Sequence, residues 1–166
     1  SDNPQSTVFA KNQEQTCGQC HQESVKTFHN SIHGKLLDTG DLRTASCSDC
    51  HGNHEIKSAK DPNSQLARAH LPEVCVKCHS SIVPDYETSA HSIAFKQGNI
   101  KAPVCIDCHS AVSHDIAPAS TRDFSLLMIN KCSSCHQEQA PTYRDTFHGQ
   151  ATDFGYKPSA TCADCH

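Results

Sequence analysis

Tryptophan is missing from this 166-residue sequence, methionine occurs once, and phenylalanine and tyrosine number six and three. The apolar share is 36%, against roughly 45–50% in typical soluble domains. That excludes a conventional side-chain core as the main support, and such a chain folds only if something else supplies apolar surface. No stretch approaches the 18 or so consecutive apolar residues of a membrane span, which excludes a membrane-crossing helix. Lysine and arginine form no run and the net charge is −4, so a basic nucleic-acid-binding face is excluded too. No cysteine stands outside a C-x-x-C-H motif, which leaves no thiol for a disulfide framework.

What is present is equally lopsided: twelve cysteines and thirteen histidines. The cysteines fall in six C-x-x-C-H motifs: Cys17-Cys20-His21, Cys47-Cys50-His51, Cys75-Cys78-His79, Cys105-Cys108-His109, Cys132-Cys135-His136 and Cys162-Cys165-His166. C-x-x-C-H is the attachment motif of a c-type haem, with two thioether bonds from the cysteines and an axial iron ligand from the histidine. Zinc also takes paired cysteines, but tetrahedral zinc gives no reason for a histidine directly after every second cysteine, six times over. Six haem c groups are therefore expected, with about 28 residues of chain to each. The apolar bodies of six haems would replace the missing core, so the apoprotein should have little fold. The expected fold class is mostly irregular with short α-helices and little or no strand, the chain wrapping a row of haems as a single hexahaem domain over 1–166.

Counted from its first cysteine, the motif pair repeats three times, over 17–54, 75–114 and 132–166, with linkers at 55–74 and 115–131 and a flexible arm at 1–16. The second motif starts 30 residues on in every copy, and the copies start 58 and then 57 residues apart. Position 16 is His33, His91 and His148; position 11 is Phe28, Tyr86 and Tyr143; position 14 is Ser31, Ser89 and Thr146; position 23 is Gly40, Gly98 and Gly155. The second motif of each copy carries Asp49, Asp107 or Asp164 before its second cysteine. Positions 9 to 16 read as one helix, with Pro84 and Pro141 in its first turn and Val25, Phe28 and Ile32 on one face. The glycine suits a chain reversal. The linkers read as loops or short helices, and Ser125 to Met128 forms a compact apolar run suited to packing on a haem edge.

Each motif supplies one axial histidine, which leaves His29, His33, His54, His70, His91, His114 and His148 for six distal positions. His33, His91 and His148 are expected distal ligands because the repeat places them alike. His54 and His114 follow the second motif too closely to reach the far side of their own haem, so each should serve another. His70 or His29 completes the set, with His70 slightly favoured. Met128 could serve only as an outside candidate, since a lone Met in an apolar run is usually packing. The third copy has no histidine after its second motif, where one is expected three to five residues further on.

Residues 17–166, with their six motifs and the [ST]-x-H and C-x-D-C-H-G-x-H segments, resemble multihaem c-type cytochromes with doubled C-x-x-C-H motifs. That group includes electron donors to respiratory reductases and extracellular cytochromes of metal-reducing bacteria. The resemblance implies bis-histidine haems in stacked and T-shaped pairs and an export location, periplasmic or extracellular, so a mature chain with its signal removed is expected. Such irons offer one-electron transfer at low potential, since no Met ligand raises them. The expected function is an electron conduit in respiration rather than catalysis, and no catalytic residue is assigned. Expected partners are redox proteins, such as a membrane quinol-linked donor and a terminal reductase or extracellular acceptor. Two alternatives remain. One is a subunit of a conductive filament with an inter-subunit histidine ligand. The other is a nitrite- or hydroxylamine-type oxidoreductase with one open haem, for which His29, His70 and Tyr143 would have to form the site.

Overall fold

In the computed structural model, residues 3–110, 112 and 114–166 are described. They form twelve short helices, and the β-structure among them is one isolated bridge between Ser110 and Ile116. The chain divides into two compact units, 1–116 and 117–166. The first contains α1 (Gln13–Gly18), α2 (Gln22–Asn30), α3 (Ile32–Asp38), α4 (Cys47–His51), α5 (Leu71–Val76), α6 (Val83–Glu87), α7 (Ala90–Lys96) and α8 (Cys105–His109). The second contains α9 (Arg122–Cys135), α10 (Gln139–Arg144), α11 (Phe147–Asp153) and α12 (Cys162–Cys165). The expected class, helical and irregular without strands, is what the structure shows.

The single helix expected over positions 9 to 16 is two helices with a bend at position 14. Ser31, Ser89 and Thr146 take extended backbone there, and each side-chain oxygen accepts the amide of the residue three ahead: Gly34 at 3.0 Å, Ser92 at 3.1 Å and Gly149 at 3.1 Å. Ser31 and Thr146 also donate back to the carbonyls of Phe28 and Tyr143, both at 2.6 Å. A hydroxyl that caps the next helix stabilises it by about 1 kcal/mol. Here the cap begins a new helix where the preceding one stops. The bend sets the position-16 histidines in the first turn of a fresh helix. That helix ends at Gly40, Gly98 or Gly155, with φ of +93°, +94° and +84°, the left-handed conformation that glycine adopts most readily. The expected reversal is there.

Two other stretches carry local structure. Within residues 3–16, expected as a flexible arm, the Asn12 side-chain amide donates to the carbonyls of Pro4 and Ser6, each at 2.8 Å. Gln13 is buried, its side chain donating to Ser48 Oγ at 2.9 Å and accepting the Ser48 amide at 2.8 Å. Side-chain amides thus satisfy backbone groups that apolar patterning does not reveal. The second linker is largely helix: α9 runs 14 residues from a Thr121 cap directly into the fifth motif. Its Met128 and Ile129 are buried.

The side-chain core is thin. Among the described residues the buried apolar side chains are Leu37, Ala67, Leu71, Ala102, Val104, Met128 and Ile129, while Phe147 and Phe154 stand 79% and 91% exposed.

Candidate haem-binding site

Each C-x-x-C-H motif is one helical turn. The amides of His21, His79, His136 and His166 donate to the carbonyls of Cys17, Cys75, Cys132 and Cys162 at 2.9–3.1 Å. Residues i and i+3 share a helix face, so this turn brings both thiols to one side with the histidine following them. None of the twelve cysteines is in a disulfide. The second motif of each copy gains an acidic cap. Asp49, Asp107 and Asp164 each accept, at 2.7 Å, the amide of the residue before the first cysteine: Ser46, Val104 and Thr161 respectively. This explains the repeated aspartate, since a carboxylate at a helix N-terminus satisfies an otherwise orphaned donor and opposes the helix dipole.

Two arginines hold these turns, and sequence reasoning did not find them. Arg68 donates to the Ile100 and Ala102 carbonyls at 2.7 and 2.8 Å and pairs with Asp107 at 2.8 Å. Arg122 donates to the Ser159 carbonyl and lies 3.6 Å from Asp164. Ala102 and Ser159 share repeat position 27, yet the arginines sit 7 and 10 residues before their first cysteines. The unequal offsets hid them from alignment. The hydroxyls at position 27 in the outer copies, Thr44 and Ser159, donate to the carbonyls of His33 and His148 at 3.3 and 2.8 Å, tying the second motif to the helix that carries the histidine.

Histidines then meet in at least two places. The rings of His33 and His79 lie with centroids 6.0 Å apart at 47°, and those of His51 and His114 lie 5.8 Å apart at 26°. Each pair joins one C-x-x-C-H histidine to one histidine left over from the motifs. Ordinary ring packing also falls at roughly 4.5–7 Å. Metal–imidazole bonds of about 2 Å on opposite sides of one ion would leave ring centroids roughly 6 Å apart. Burial and then the neighbouring imidazole hold both His33 and His51 below the usual histidine range, favouring the neutral form that binds metals.

The thiols of the first unit are linked in chain order. Burial, then Cys17, pushes the Cys47 thiol up to about 11. Cys75 is raised chiefly by its hydrogen bond with Cys105, with Cys50 adding to it, and Cys50 is raised by burial, Asp49 and Cys78. First motif adjoins second, second adjoins third, and third adjoins fourth.

The other candidates have the following surroundings. His29 is held from both sides, with Nδ1 3.0 Å from Asp38 and Nε2 3.2 Å from Glu14. Its pKa is raised, first by the Asp38 hydrogen bond, and these three residues form a compact cluster. His70 has Nδ1 3.9 Å from Glu73. His54 is exposed beyond α4, His91 is in the first turn of α7, His109 ends α8, His136 follows α9 and His166 follows α12. His148 stands beside Phe147, ring centroids 6.0 Å apart.

The residues present suit covalently held haem. The chain exposes 11153 Å², where a folded protein of 18.1 kDa leaves about 8,100 Å² in contact with water. The chain thus carries more exposed surface than its mass predicts, beside paired thiols and two histidines, His33 and His51, that favour the neutral form.

Paired thiols on single helical turns, motif histidines facing others across 6 Å and a core of seven side chains support a c-type multihaem cytochrome. The multiheme cytochrome MtrA of Shewanella baltica is 33% identical over 94 residues, 56% of this chain and 25% of that protein. The matched stretch thus spans about a quarter of the curated relative. No protein-family profile and no solved structure matches. No helix among the described residues is long and apolar enough to cross a membrane.

Proposed function

We propose that this chain is an electron-transfer protein with six haem c groups, one at each C-x-x-C-H motif, ligated mainly by two histidines at low potential. It would act as a conduit between redox partners in respiration, in the periplasm or at the outer surface. The observation that carries this reading is the pair of facing imidazoles, His33 with His79 and His51 with His114. When bound, a haem with two imidazole ligands supplies one-electron transfer and no open iron position for a substrate. The chain's own part is attachment, orientation and spacing. The twelve cysteines hold the groups, His21, His51, His79, His109, His136 and His166 are the proximal ligands, and His33, His54, His91, His114 and His148 are distal ones. His70 completes the set rather than His29, whose two ring nitrogens are already held by Asp38 and Glu14. The thiol contacts running from first to fourth motif support close spacing along a row. A quinol-linked donor and a terminal reductase or extracellular acceptor are the partners this role requires.

The test is made on the exported, matured protein. Haem and iron per chain should both equal six, the oxidised and reduced spectra should be low-spin, and carbon monoxide should not bind. Fewer haems, or carbon monoxide binding together with viologen-driven nitrite or hydroxylamine reduction, would sink the conduit in favour of an enzyme.

A further inference from the structure

The two histidine pairs share a feature that the repeat alone does not dictate: both run between modules. His33 belongs to the first copy and His79 to the second; His51 belongs to the first and His114 to the second. We propose that the first two modules exchange axial ligands reciprocally, His33 closing the iron held by the third motif and His114 closing the iron held by the second. This assignment rests on the proposed haem attachment and goes beyond it by stating which histidine serves which group.

The backbone carries the same exchange independently of the rings. The segment after α8 turns back through the Ser110–Ile116 bridge, and the Ile116 carbonyl accepts the Ile32 amide at 2.9 Å. Ile32 is the residue before His33, so one backbone hydrogen bond docks the tail that bears His114 onto the helix start that bears His33. His114 adopts φ +72°, a left-handed conformation uncommon among non-glycine residues. The spacing fits as well. His114 lies five residues past its motif histidine and reaches His51, whereas His54 lies three past its own and remains exposed. Cys50 and Cys78, from the same two motifs, lie within electrostatic reach of each other.

Reciprocal exchange makes each module necessary to the other's irons, and deletion epistasis tests that on the full haem-loaded chain. His33→Ala should turn one iron in six high-spin and open to carbon monoxide, and His114→Ala should do the same. In a Cys75→Ser/Cys78→Ser background, which lacks the third haem, adding His33→Ala should open no further iron. In a Cys47→Ser/Cys50→Ser background, adding His114→Ala should open none. A new carbon monoxide-binding iron in either combination places that histidine on a different haem and overturns the assignment, while six low-spin haems in the parent leave the proposed function standing. Where a haem-deleted chain does not mature, the axial ligands in a structure of the loaded protein decide: His33 opposite His79 and His114 opposite His51 upholds the exchange, and any other partner refutes it.

Discussion

The first unit holds two modules and the second holds one, and each uses the same local devices. Position 14 caps a helix, position 23 reverses the chain, an aspartate caps the second motif, and an arginine pins that motif to the position-27 carbonyl. What differs is what surrounds the position-16 histidine. In the first unit His33 faces a motif histidine of the next module; within the second unit His148 stands against Phe147. The caps and reversal of a module lie within it, whereas the histidine pairs of the first unit run between modules. On the proposed assignment, a module of this kind is a half-built site that a neighbour finishes.

The sharpest way to break that comparison is to withhold the cofactor. With seven buried apolar side chains among the described residues, burial at roughly 25 cal/mol per Å² falls far short of chain entropy near 1–2 kcal/mol per residue. Chains produced without haem attachment should therefore lose helical circular dichroism across both units. Retained helicity in either would show that the frame stands without its haems. Next in size is the arginine pin. Arg68→Ala and Arg122→Ala should each cost about 1.5–3 kcal/mol, as expected for hydrogen bonds from a charged group, read from denaturant unfolding of the loaded protein. Equal losses would confirm that both units use the same pin; a negligible loss for Arg122→Ala would confine it to the first unit.

Much of this was legible in the sequence because haem attachment demands a contiguous motif and the repeat multiplies every signal by three. The six motifs, the histidine at position 16 and the glycine at position 23 all show at that level. The position-14 hydroxyls were visible as a repeat, but their meaning was not, since a serine two residues before the position-16 histidine signals a cap only if the helix ends there. The arginine pins escaped because they arrive at unequal offsets. The role of His29 escaped because its partner lies at position 21. There the copies read His29 with Asp38, Glu87 with Lys96 and Arg144 with Asp153, opposite charges whose signs change from copy to copy. The structure forms two of these as ion pairs, at 3.0 Å each. Comparing pairs of positions, rather than single columns, would have shown that His29 belongs to a charge pairing.

Smaller effects sharpen the same contrast. Ser31→Ala, Ser89→Ala and Thr146→Ala should each cost about 1 kcal/mol through loss of the cap. Ser31→Ala should also raise the high-spin fraction at one iron, because that cap starts the helix bearing His33; an unchanged spectrum would separate the cap from ligation. The smallest effect belongs to His29, whose partly exposed ion pair contributes less than about 1 kcal/mol. Its pKa is raised above 6.5, first by Asp38, with burial opposing and Glu14 adding to the rise. The folded state therefore favours the imidazolium. The stabilisation is complete below pH 6.5 and is lost as pH climbs through the raised folded value. Asp38→Asn should flatten that dependence while leaving every iron low-spin. If it instead opened an iron, or if stability rose with pH across this range, His29 would be acting as a ligand in neutral form and His70 would lose its place in the set.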